Sequence, residues 1–255
     1  MNKLLAVLLG VLALPALAGT ERFYGYAFDL KTDRHLYTEV HEQRIDNGRW
    51  VGGSIRYYWP DGRPMGVKSL DFTDDPYVPV YRLDLPEQGY TEAITAVRDS
   101  IQLERRDNAG AKVESATVKH EGPMCADSGF HSMIVSSFDT LLSGKTMNFR
   151  LVAAGSLDAF RFRARRIDDT QFEGKPAVRF YVEPDSFLRL LVDPLEMVYD
   201  PQQRRLLEYR GVSNIRDPKT GDLFVTRIAY YSEPPKVVAV LPPLEPKCPE
   251  ATLSC

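Results

Sequence analysis

Polar and apolar residues alternate over most of this chain, and turn residues interrupt the alternation at short intervals. Side chains of a strand point to opposite faces in turn, so each alternating run predicts a half-buried strand. Residues 22–28 and 35–44 form two such runs. Asp46-Asn47-Gly48 follows as a hairpin turn, because Asn-Gly tolerates positive φ at both central positions. The next run, 49–59, contains Gly52-Gly53, which predicts a bulge or sharp bend. Pro60-Asp61-Gly62 turns the chain into 65–72. Residues 73–88 are punctuated by Pro and Asp and read as a loop around a short strand at 78–85. Residues 90–97 fit more than one element, and 100–106 with 112–119 make another hairpin. Further strands are predicted at 147–153, 157–167, 171–183, 195–199, 204–213 and 223–231.

One segment departs from this period. From Phe130 the apolar residues fall at 130, 133, 134, 138, 141 and 142, the spacing of a helix with one apolar face. Asp127 or Ser128 can cap its start and Gly144 can end it. A second, short helix is expected at 187–192, after Pro184-Asp185-Ser186. From Ser232 onward six prolines (234, 235, 242, 243, 246 and 249) oppose regular pairing, so 232–255 is expected to be an extended tail. The fold class that follows is mainly β: one large curled antiparallel sheet or half-barrel, with one amphipathic helix packed against it. Curling reduces the exposed edges of so large a sheet.

The start of the chain adds an address. Lys3 precedes an almost unbroken apolar run to Leu17, and Ala16-Leu17-Ala18 has the small-x-small form cut by signal peptidase. Residues 1–18 are therefore expected to be a signal peptide, cleaved near Ala18, with 19–231 a single domain in the periplasm. The apolar run falls short of the ~20 residues that span a bilayer, so no transmembrane span is expected in the mature protein. The formal net charge is −3, one unit more negative once Lys3 is removed, which excludes general affinity for nucleic acid. Thirteen Tyr, twelve Phe and two Trp suit a β-rich chain. Export makes disulfides plausible chemistry. Cys248 and Cys255 are the nearest pair, Cys125 can take either as partner, and one thiol remains over.

Candidate chemistry is sparse. His35, Tyr37, Glu39 and His41 occupy alternate positions of one strand and share a face. The two imidazoles lie about 20 Å apart on an extended strand, too far for one ion, so the row is read as a polar strand face and no metal is expected. Arg161, Arg163 and Arg165 alternate with Phe160, Phe162 and Ala164. Such a row can grip a carboxylate, phosphate or lipid headgroup if it reaches the rim of a concave face; on an outer face it pairs with acids. No Gly-x-Ser-x-Gly, His-Glu-x-x-His or phosphate-binding Gly loop occurs, and no catalytic residue or cofactor is assigned.

Four segments, Phe138-Asp139 with Leu141 to Gly144, Phe160-Arg-Phe-Arg163, Glu183-Pro-Asp-Ser-Phe187 and Ser213-Asn-Ile-Arg-Asp217, resemble a family of exported Gram-negative proteins of uncharacterised function. The resemblance covers most of the mature chain and supplies no active site. The element pattern is also similar to the LolA/LolB-type periplasmic lipoprotein carriers, a likeness at the level of fold. It implies a concave sheet holding acyl chains under a covering helix. The expected function is non-enzymatic binding of an apolar or lipidic ligand, or of a lipidated partner. Phe130, Met133, Ile134, Phe138, Leu141 and Leu142 are then candidates to line or close the cavity. Phe160 and Phe162 are candidates for its floor, and the three arginines for headgroup contacts. The alternative is an envelope structural protein that docks a partner through its tail or a sheet edge. A hydrolase is third.

Overall fold

The structure, a computed structural model, describes residues 18–185 and 194–245. The described chain forms one 15-stranded sheet. Strands β1 (Gly19–Asp29), β2 (His35–Asp46), β3 (Arg49–Tyr58) and β4 (Pro64–Asp71) run as antiparallel hairpins, continued by β5 (Val80–Leu85), β6 (Tyr90–Val97), β7 (Ser100–Arg106) and β8 (Glu114–Lys119). The chain then crosses to the far edge with β9 (Met124–Ala126) and returns through β10 (Met147–Ala153), β11 (Asp158–Phe172), β12 (Lys175–Pro184), β13 (Leu195–Tyr199), β14 (Leu206–Arg216) and β15 (Leu223–Ala229). In space the order is β8 down to β1, then β15 down to β9, so β1 pairs with β15 at the centre.

This order explains the curl. The two edge strands, β8 and β9, are consecutive in the chain and are joined by residues 120–123 alone. A link that short reaches at most about 17 Å. The edges must therefore approach each other, although they share no ladder, and the sheet bends into an incomplete ring with one seam. β8 lies against β11, and the one-turn 3₁₀ helix Ala154–Ser156 after β10 rests on β6 and β7.

Alternation sets which side chains enter the ring. On β4, Met65, Lys68 and Leu70 are buried while Val67, Ser69 and Asp71 are exposed. The Asn47-Gly48 turn has positive φ at both residues, as its sequence requires. At Gly53 the strand passes so close to β2 that a Cβ would clash with the Glu42 carbonyl oxygen, and two residues earlier, at Val51, the register shifts by a bulge.

Two strands differ from the pattern. β9 is only three residues long, too short to alternate visibly, and it runs parallel to β10, so the sheet is mixed. β11 continues through Asp168-Asp169-Thr170, and the hairpin turns instead at Glu173-Gly174, both with positive φ. A bulge at Ile167 and the Arg179–Asp168 ion pair carry the strand through its polar stretch.

The single helix is in fact two, α1 (Gly129–Ser136) and α2 (Phe138–Leu142), parted at Ser137. Ser136 donates its hydroxyl to the Met133 carbonyl, a local bond that competes with helix continuation. Gly144, in the left-handed region, ends α2 as expected. Neither Asp127 nor Ser128 caps α1, because the Asp127 carboxylate is turned toward Lys68.

The concave face of β10–β13 is filled by the helices. Phe130, Met133, Ile134, Phe138 and Leu141 pack on Phe149, Ala164, Val178, Phe180, Val182, Met197 and Tyr199. Residues 232–245 lie along the outer face instead. Val238 packs on Tyr26 and Phe28, the Tyr24 hydroxyl donates to the Pro242 carbonyl at 2.7 Å, and Arg56 donates to the Leu244 carbonyl. Cys248, Cys255, the segment 187–192 and residues 1–17 lie outside the described residues. Cys125 is a buried free thiol among the described residues, its pKa pushed well up by burial.

Candidate functional site

The other half of the concave face is hollow. A cavity of about 830 Å³ lies between β1–β6 on one side and β13–β15 with the start of α1 on the other. Tyrosines supply much of its wall: Tyr37, Tyr57, Tyr81, Tyr90, Tyr209 and Tyr230, together with Phe23, Trp50 and Phe130. Exposed Glu21 and Leu223 belong to the same lining, so the cavity reaches the protein surface.

Four ionisable side chains stand among these rings because each occupies an inward position on a strand or strand end. Lys68 and Asp127 form a buried ion pair, 4% and 5% exposed. Asn214 donates to the second oxygen of Asp127 at 2.9 Å, and Ser128 donates to the first through both its amide and its hydroxyl. Burial alone would raise the Asp127 pKa, but the Lys68 ammonium and these hydrogen bonds outweigh burial and hold it below the ordinary carboxylate value. Glu92 accepts from Tyr81 at 3.0 Å, from Tyr90 at 2.7 Å and from Asn214 at 3.3 Å. Burial first, and then Glu92, push the Tyr81 and Tyr90 hydroxyls up, so both phenols remain neutral donors. Gly155 makes room for this group: a Cβ there would stand 2.4 Å from Glu92 Oε2.

Glu39 is the fourth. Its Oε2 lies 2.8 Å from His41 Nε2, and the His41 ring stacks on Phe23 with centroids 4.6 Å apart. Tyr230 meets His41 edge-on at 5.6 Å, and Tyr37 meets Tyr57 edge-on at 6.0 Å. Tyr37, Glu39 and His41 thus share the inner face, as their spacing predicted. His35 does not join them. A bulge opposite Phe28 turns it to the outer face, where its ring meets Phe28 and its Nε2 bonds the Thr38 hydroxyl. No group of three or more His, Cys, Asp or Glu is placed to hold an ion among the described residues.

His131 also lines the cavity. It stacks on Tyr199, whose hydroxyl is 3.1 Å from Nδ1, and burial pulls its pKa down to about 4.

The ligand residues expected from sequence are dispersed. Phe130 lines the cavity at the junction of its hollow and filled halves. Met133, Ile134, Phe138 and Leu141 are spent on packing α1 and α2 against the sheet, and half-buried Leu142 packs beside them. Phe162 contributes to the same core, stacked on Phe149, while Phe160 is 44% exposed. The arginine row lies on the outer face. Arg163 and Arg165 both bind Glu183, with Arg163 Nη2 2.6 Å from Oε1, and Arg161 is exposed beside them. The row sits outside because Phe162 and Ala164 pack inward from β11.

Sequence reasoning missed Lys68, Glu92 and Asp127. The first two carried a signal: each is a charge at an inward position of an otherwise apolar strand face, Lys68 beside Leu70 and Glu92 between Tyr90 and Ile94. Nothing in its sequence neighbourhood marks Asp127. Compared with known proteins, the chain matches no family model, no curated protein and no solved structure.

Proposed function

We propose that this protein is an exported, non-enzymatic binding protein that takes the apolar part of a lipid, or of a lipidated partner, into its cavity. The observation that carries this reading is the cavity itself. Its volume of about 830 Å³ falls within the range of small-molecule sites, and its walls are mainly aromatic and aliphatic with a few polar groups converging at one place. Buried polar groups fix orientation in such sites, and apolar walls supply affinity. The location rests on the charged, apolar and small-x-small order of residues 1–18.

The test is extraction of the purified protein with organic solvent, with mass spectrometry of the extract, followed by titration with a fluorescent acyl-chain probe. Co-purified lipid or saturable probe binding is expected. Replacing Ile228, a central wall residue, by Trp should fill the cavity and weaken probe binding. Neither lipid nor probe binding in the parent protein would sink the reading. Docking through the tail draws less support, because residues 232–245 are engaged with their own sheet.

A further inference from the structure

Within that binding reading, on which this inference rests, we propose that the part of the cavity around Glu39 receives an organic ammonium group, so that the ligand is a cationic amphiphile. The cavity offers two polar places, and they differ. At one, Asp127 is matched by Lys68, Glu92 is surrounded by three neutral donors, and the Arg216 guanidinium lies 4.5 Å over the Tyr90 ring. That place is already satisfied. At the other, Glu39 is 5% exposed, and His41 is its one hydrogen-bond partner among the described residues. His41 is also its one ion-pair contact among the described residues, and none of their lysines or arginines pairs with it. Its neighbours are aromatic: Phe23, Tyr37, Tyr57 and Tyr230.

Two further observations point to an occupant. Tyr37 is fully buried and belongs to the cavity lining, and its hydroxyl reaches no partner at hydrogen-bond geometry, the Ser213 and Thr226 side chains being its polar neighbours. A buried hydroxyl left unpaired costs about 1–3 kcal/mol, a cost that a ligand N–H can offset. The second is Gly25, which faces Glu39 across the β1–β2 ladder. A Cβ at Gly25 would stand 2.8 Å from Glu39 Oε2 and 2.9 Å from Tyr230 Cε1, so the bare glycine keeps carboxylate and ring together. A carboxylate among ring faces is the arrangement that attracts ammonium groups, through direct charge and through the ring quadrupoles.

The experiment compares three probes of one chain length below their micellar concentrations: dodecylammonium, dodecanoate and dodecanol. The change in tryptophan emission as a probe enters beside Trp50, which lines the cavity, reports binding. Dodecylammonium is expected to bind at least about tenfold more tightly than dodecanoate. Glu39→Gln should erase most of that ratio, and Gly25→Ala should reduce it, with thermal melts confirming that each variant is folded. Dodecanoate binding as tightly as dodecylammonium, or an unchanged ratio in folded Glu39→Gln, would overturn the ammonium assignment and leave the binding reading standing. If none of the three probes binds the parent protein, the binding reading itself falls. The parent comparison alone decides the matter if Glu39→Gln does not fold.

Discussion

The two halves of the concave face are built from one sheet, yet one is packed solid and the other is hollow. Under α1 and α2 the inward positions of β12 and β13 are Val178, Phe180, Val182, Met197 and Tyr199, and the helices bring Phe130, Met133, Ile134, Phe138 and Leu141 to meet them. On β2, β4 and β6 the same inward positions include Glu39, Lys68 and Glu92. A helix laid over those residues would seal off the cavity beside them and offer no further partners. Sealing in charges is costly, whereas apolar walls welcome a cover. The difference teaches that the hollow is specified by the charges on its wall as much as by the shape of the sheet.

The largest expected effect lies in the filled half. Phe138 is fully buried between the Phe180 and Tyr199 rings, so Phe138→Ala should cost about 3–5 kcal/mol in urea unfolding. A smaller loss would mean that the helices collapse into the gap, and that this half is softer than its packing suggests. In the hollow half, Lys68→Met strands the Asp127 carboxylate. Because Asn214 and Ser128 still hydrogen-bond the carboxylate, the cost should be about 1–3 kcal/mol, below the roughly 3–5 kcal/mol of a buried charge left without partners. Adding Asp127→Asn should recover part of it. A loss in Lys68→Met equal to that of Phe138→Ala would erase the distinction between the halves.

A pH slope at the boundary gives an effect of similar size to that at Lys68. An unfolded chain holds a histidine near 6.5, and burial lowers His131 to about 4. Between those values the unfolded chain binds the proton and the folded protein does not. The stabilising contribution is therefore full above pH 6.5 and lost as pH falls toward 4, by up to about 1.4 kcal/mol per pH unit. His131→Phe keeps a ring on Tyr199 and should flatten that part of the slope, read as urea midpoints at pH 7 and pH 4.5. Equal midpoint drops in parent and variant would remove His131 from the account.

The strands were legible because alternation and turn chemistry agree: Asn47-Gly48, Pro60-Asp61-Gly62 and residues 217–221 all fall where the chain reverses. The helical spacing at 130–142 was legible too, since α1 and α2 keep their apolar residues toward one core despite the break at Ser137. The site was legible only where its members share a strand. Tyr37, Glu39 and His41 are two apart, so one strand shows them together, and a bulge, invisible in sequence, removed His35. Lys68, Glu92, Asp127 and Asn214 meet from four places in the chain, and only the register of the sheet brings them together. Parity likewise decided the arginine row. Its alternation was plain in the sequence, but which face would be inward depended on the packing of Phe162 and Ala164.

The pairing of β1 with β15 has a consequence for how the protein is made. Every other ladder joins consecutive strands, and can form while the rest is still unstructured. Tyr26 and Ala229 are partners although roughly 200 residues separate them, so their ladder waits until both arms exist and the intervening chain has been drawn in. Loop closure of that length is slow compared with hairpin formation. Topology thus favours two arms that form first and meet late, and the cavity, which needs walls from both, depends on that last ladder.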